Sequence, residues 1–64
     1  MTREQIELLN GQIVTEEQFE EIEQHEEVAR IENNGGSGRY PSCTWHTVYF
    51  TDGEEIDIYY KSEN

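Results

Sequence analysis

Apolar residues recur at helical spacing early in the chain and at alternating spacing late in it. Thr2-Arg3-Glu4-Gln5 fits a capping box, with Thr2 at the N-cap and Gln5 three residues on. Ile6, Leu8 and Leu9 follow, and Asn10-Gly11 supplies a C-terminal stop, which predicts a short helix over about residues 3–10. Gln12-Ile13-Val14 reads as a brief extended link. Thr15-Glu16-Glu17-Gln18 repeats the capping box and opens a second helix, about residues 16–26, with Phe19 and Ile22 facing inward at i, i+3. A helix as short as the first is unstable alone, so it must pack on something.

Val28-Ala29-Arg30-Ile31 fits two readings. It continues the helix, since Ile22 and Ala29 would share a face, or it is a strand with Ala29 and Ile31 on one side. The strand is preferred, because the segment runs into Asn33-Asn34-Gly35-Gly36-Ser37-Gly38, a turn signal that reads as a flexible strand connection. Thr44-Trp45-His46-Thr47-Val48-Tyr49-Phe50 is dense in aromatic and β-branched residues. Asp52-Gly53 is a hairpin signal, and Glu55-Ile56-Asp57-Ile58-Tyr59-Tyr60 alternates polar and apolar, which predicts strands at 43–51 and 54–61. A three-residue Thr51-Asp52-Gly53 loop with a glycine bulge sets Val48 opposite Ile56 and His46 opposite Ile58. Val48, Phe50, Ile56, Ile58 and Tyr60 then form the core face, and Trp45, Thr47, Tyr49, Asp57 and Tyr59 face outward. A two-residue Asp52-Gly53 loop would swap the first strand's faces; the bulged loop is preferred because it buries the most aliphatic set. The elements predict one α+β domain over residues 1–64: two short N-terminal helices packed on a small antiparallel sheet of two or three strands.

Charge changes this picture more than any other property. The 64 residues carry 15 Asp+Glu against 4 Lys+Arg, a formal net charge of -11. A field of that sign repels nucleic acid and anionic membranes and attracts basic protein surfaces. The largest basic surfaces in a cell belong to proteins that bind nucleic acid. Leu, Ile, Val and Phe make up only about a fifth of the chain, near the limit at which high net charge predicts disorder. The aromatic residues concentrated late in the chain argue for folding. Cys43 is the only cysteine, so no internal disulfide is possible and a reducing cytoplasm is the expected compartment. MTREQIELL has no basic region followed by an apolar run, so no signal peptide is expected. Beginning at Met1 without a tag, the chain is expected to be a complete small gene product.

Candidate binding residues fall in two sets. Glu16, Glu20, Glu23 and Glu27 recur at i, i+4, i+7 and i+11, one helical stripe, with Glu17 and Glu21 in a second row. Residues four apart rise about 6 Å along a helix, a plausible match to successive backbone phosphates. A Glu run is usually a solvated face; the shortage of balancing lysines is what favours a partner. Trp45, Tyr49 and Tyr59, flanked by Glu55 and Asp57, form the second set, either an exposed aromatic patch or core covered by the helices. The expected partner-binding residues are therefore Glu16, Glu20, Glu23, Glu27, Trp45, Tyr49, Asp57 and Tyr59. Cys43 and His46 form a lone C-x-x-H whose side chains point to opposite faces of a strand. No second pair completes a zinc site, and no base or pocket is evident for a nucleophile, so neither cofactor, metal nor catalysis is expected.

In size and composition, in the acidic stripe and in the acidic aromatic hairpin from Trp45 to Tyr60, the chain resembles the small acidic proteins with which phages disarm bacterial defences. These include anti-restriction proteins, anti-CRISPR proteins and glycosylase inhibitors. They share no common motif, so no residue role carries over. The resemblance implies a stoichiometric inhibitor that occupies the nucleic-acid groove of a host effector or nuclease or locks its conformation; a monomer or small homo-oligomer is expected. It would not bind nucleic acid or membrane itself. An acidic interaction module or regulatory subunit with no link to nucleic acid is the alternative.

Overall fold

The computed structural model describes residues 1–61. In chain order these form α1 (Arg3–Glu7), β1 (Ile13–Val14), α2 (Glu16–Gln24), β2 (Val28–Gly36), β3 (Cys43–Phe50) and β4 (Glu55–Lys61). The four strands make one sheet in the order β1-β4-β3-β2.

Both helices start on complete capping boxes. The Thr2 hydroxyl accepts from the Gln5 N–H at 3.2 Å while Gln5 Oε1 accepts from the Thr2 N–H at 2.8 Å. Thr15 and Gln18 repeat this at 3.1 and 2.9 Å. The helix ends come earlier than the sequence predicts. α1 stops at Glu7 instead of residue 10, and Leu9 and Asn10 continue in tighter turns that donate to Ile6 and Glu7. Gly11 then takes φ 80, where a side chain would be strained. Its N–H donates to the Asp57 carbonyl at 2.7 Å, so the chain leaves the helix in order to reach β4. α2 stops at Gln24 instead of residue 26, because the extended backbone of His25 (ψ 133) ends it. His25 Nδ1 accepts from the Glu27 N–H at 3.1 Å, which turns the chain so that Val28 can pair with Phe50.

The sheet is larger than expected, and mixed. Ile13 and Val14 pair with Tyr59 and Tyr60 in parallel, adding a fourth strand to what the sequence predicts as an antiparallel sheet of two or three. On β2 the preferred strand reading holds, but the strand runs on through Asn33-Asn34-Gly35-Gly36, where a flexible turn was expected. Two irregularities allow this, one at Val28/Arg30 and one at Asn33/Gly36. At the second, Asn33 Oδ1 accepts from the Gly35 N–H and Asn34 Nδ2 donates to Thr47 Oγ1, both at 2.8 Å. The first irregularity inserts a residue, so Val28 and Ile31 pack on the core while Ala29 is exposed, not on Ile31's side as expected.

The β3–β4 register is the one that the bulged loop predicts, with Val48 opposite Ile56 and His46 opposite Ile58. Gly53 at φ 93 closes that loop, donating to the Phe50 carbonyl at 3.1 Å. One core follows, built from Ile6, Val14, Ile22, Val48, Phe50, Ile56 and Ile58, between the helices and one sheet face. Trp45, Thr47, Tyr49, Asp57 and Tyr59 alternate onto the other face, which no helix covers. Among the described residues no helix is long and apolar enough to cross a membrane.

Arg3 ties three separate segments together. Its guanidinium reaches Glu7, Glu27 and Asp52, each at 3.1 Å, and lies 3.7 Å from the centroid of the Phe50 ring. Burial opposes the charge on Arg3, but hydrogen bonds and attraction from Asp52, Glu27 and Glu7 outweigh it and raise its pKa. Asp52 shifts the opposite way, held below its ordinary range by the Glu54 N–H first and Arg3 second.

Candidate functional site

The two sets of expected binding residues lie on opposite sides of the molecule. Glu16, Glu20 and Glu23 are exposed on α2, outside the layer that covers the core, and Glu17 and Glu21 are exposed beside them. Trp45, Tyr49, Asp57 and Tyr59 are on the open sheet face. The domain measures 30 × 21 × 17 Å, with α2 packed against one sheet face and the aromatics on the other.

Glu27 is not part of the helical stripe. α2 ends at Gln24, so the i+11 position falls in the turn before β2, and the Glu27 carboxylate is bound to Arg3. The stripe is three carboxylates, Glu16, Glu20 and Glu23, and none has an ion-pair partner among the described residues. Glu21 has one, the N-terminal ammonium at 3.8 Å.

Beside this acid lies an apolar feature that the sequence reading missed. Leu8 is 80% exposed. It lines an open concavity of about 410 Å³ between the helices, with Met1, Gln5, Leu9, Gln18 and Glu21. Its signal is in the chain, since Leu8 and Leu9 are adjacent on the helix that the sequence predicts over 3–10 and cannot both face one core. An apolar centre within a charged rim is the usual anatomy of a protein interface.

On the sheet face Trp45 is 38% exposed and stands opposite Tyr59. Tyr59 is half-buried, with the Tyr40 ring packed edge-on at 4.9 Å and Ile13 beside it on β1. The connection 37–42 places Tyr40: Ser37 Oγ accepts from the N–H groups of Arg39 and Tyr40, and the Cys43 N–H donates to the Tyr40 carbonyl. Tyr49 is half-buried beneath Arg30, whose guanidinium is 4.1 Å from the ring centroid and also binds Glu32 at 2.8 Å. Asp57 accepts from Thr47 Oγ1 at 3.1 Å, and Thr47 accepts in turn from Asn34. This hydrogen-bonded row makes Thr47 buried although it points away from the core.

Cys43 is buried at the start of β3. His46 is buried on the core side, with Nε2 2.7 Å from Thr44 Oγ1 and Phe19 packed edge-on at 5.0 Å. Among the described residues no three His, Cys, Asp or Glu side chains converge to hold a metal. Burial lowers the pKa of His46 below 6.5, and the Glu23 charge only partly offsets this. The folded state therefore disfavours the imidazolium. The stability this contributes is complete above pH 6.5 and falls as the pH drops from there to the lower folded value. Protonating surface carboxylates relieves self-repulsion and works in the opposite direction. The His46 contribution is the difference between wild type and His46→Leu: between pH 8 and pH 5 the wild type should lose melting temperature relative to the variant. Parallel curves would show that His46 titrates alike in both states.

No family model, curated protein or solved structure matches this chain.

Proposed function

We propose that this protein is a non-enzymatic inhibitor that binds a basic, nucleic-acid-binding surface of a bacterial defence complex in the host cytoplasm. The observation that supports this reading is where the three arginines are spent. Arg3, Arg30 and Arg39 each lie over an aromatic ring of the chain itself, and Arg3 and Arg30 are also ion-paired. The carboxylates of Glu16, Glu17, Glu20 and Glu23 are exposed on α2 and have no ion-pair partner among the described residues. A helix kept soluble by charge normally mixes both signs. One that repeats carboxylates at i, i+4 gives up a few tenths of a kcal/mol per pair. A basic partner supplies the missing counter-charge.

Mimicry is confined to a short stretch. The row Glu16, Glu20, Glu23 rises about 10 Å along the helix axis, enough for about two steps between phosphates. The protein would therefore imitate a local contact, with Leu8 and its concavity adding apolar anchorage beside it.

A direct test follows DNA release. Fluorescein-labelled DNA is bound to a panel of bacterial enzymes: a restriction nuclease, an RNA-guided effector and a DNA glycosylase. The protein is then added and anisotropy is followed. Release from one target at a 1:1 ratio, with DNA left intact, is the expected result. Full retention of DNA on every target at tenfold excess would refute the reading. The exposed Trp45 and Ile13 (38% and 48%) favour the alternative, an interaction module unrelated to nucleic acid that uses the sheet face.

A further inference from the structure

We infer that the open sheet face is an arginine-binding surface, in which Trp45 and Tyr59 receive the guanidinium of a basic partner protein and Asp57 binds its N–H groups. This rests on the reading of a basic partner and names the side chain that partner contributes.

The chain's own arginines show the fit. Arg3 lies 3.7 Å from the Phe50 centroid, Arg30 4.1 Å from Tyr49 and Arg39 5.5 Å from Tyr40. Two of these pairs are completed by carboxylates, Glu32 for Arg30 and the Glu7, Glu27 and Asp52 set for Arg3. Ring and carboxylate together form the recurring unit. Trp45 and Asp57 have the same parts without an arginine on them among the described residues; Lys61, two residues beyond Tyr59 on this face, makes no ion pair and no ring contact there. Trp45 stands opposite Tyr59, and Asp57 is two residues before Tyr59 on the same face, a diagonal neighbour at roughly 7–8 Å between Cα atoms. A guanidinium over the indole can reach that carboxylate with its planar fork. Asp57 is held for this by Thr47, which occupies Oδ1 and leaves Oδ2 without a hydrogen-bond partner among the described residues. Trp is the strongest cation-binding ring of the three aromatic types.

Other occupants fit less well. A nucleic-acid strand could stack its bases on the rings, but its phosphates would meet a chain of net charge -11. A second copy would bring another -11, and its arginines are engaged on their own rings. Lysine supplies charge but neither stacks nor forks, and it is more strongly hydrated.

The test uses the whole protein with octa-arginine and octa-lysine peptides, which carry equal charge. Trp45 is the only tryptophan, so its emission reports on this face directly. Octa-arginine should change that emission and bind about fivefold more tightly than octa-lysine. In titration calorimetry, Trp45→Ala and Asp57→Asn should each abolish the arginine preference; Asp57→Asn is isosteric and guards against loss of fold. The variant with Glu16, Glu20 and Glu23 changed to Lys should bind both peptides more weakly and keep the preference. Equal affinity for the two peptides, unchanged Trp45 emission at saturation, or a preference that survives Asp57→Asn would each overturn the inference. DNA retained by every enzyme while the arginine preference persists would refute the inhibitor reading and leave this site standing.

Discussion

Changing Glu16, Glu20 and Glu23 together to Lys is expected to abolish DNA displacement while leaving the fold intact. Removing or reversing a close interfacial charge costs about 1.5 kcal/mol or more per pair. Three such changes give about 4–5 kcal/mol, more than a thousandfold in Kd. Stability should stay near the wild-type value, because two effects oppose each other. Lysine at position 16 loses the favourable interaction of Glu16 with the helix N-terminus, about 0.3–1 kcal/mol. Replacing the acidic row relieves its repulsion from Glu17, Glu21 and the rest of the surface, a few tenths of a kcal/mol per neighbour. The measurement is DNA displacement alongside melting temperature. A variant that melts like the wild type and still displaces DNA would remove α2 from the interface.

The largest effect on stability is expected from Ile22→Ala. Ile22 is fully buried and is the one residue of α2 in the buried core cluster, so it anchors the acidic helix to the sheet. Truncating a buried Ile to Ala costs about 2–5 kcal/mol. A chain of this length has about 3–10 kcal/mol in all, at 0.05–0.15 kcal/mol per residue. Ile22→Ala should therefore leave a substantial unfolded fraction at room temperature, read by far-UV circular dichroism in a urea titration. Ile22→Val, which costs about 0.5–1.5 kcal/mol, should remain folded with a lower midpoint. A urea midpoint for Ile22→Ala equal to that of wild type would mean that α2 is not held through this residue.

Local patterns made part of this structure legible. The capping boxes at Thr2 and Thr15 are read from four residues each, and both are formed. The β3–β4 register follows from one requirement, that Val48, Ile56 and Ile58 share a buried face, and from a glycine able to take φ 93. What the chain hid is set by distant partners. Ile13 and Val14 read as extended, but two residues name no sheet partner, and their pairing with Tyr59 and Tyr60 bridges most of the sequence. Asn33-Asn34-Gly35-Gly36 has turn chemistry, but its amide side chains supply the hydrogen bonds that the irregular strand lacks. Of the site, the carboxylates on α2 and the outward set from Trp45 to Tyr59 were readable as two groups. That they occupy opposite sides depends on which sheet face the helices cover. Glu27 left the stripe because the pairing of Val28 with Phe50 fixes where α2 must end.

The dependence of target affinity on salt tests most directly whether the charge field carries function. Raising ionic strength from about 0.1 M to 1 M shortens the screening length from roughly 10 Å to 3 Å. If exposed carboxylates on α2 meet a basic groove, affinity should fall at least about tenfold over that range, mostly through slower association. The variant with Lys at positions 16, 20 and 23 should show a much shallower slope. Affinity that stays flat from low to high salt would contradict an electrostatic interface and leave the acidic helix as a solvated surface.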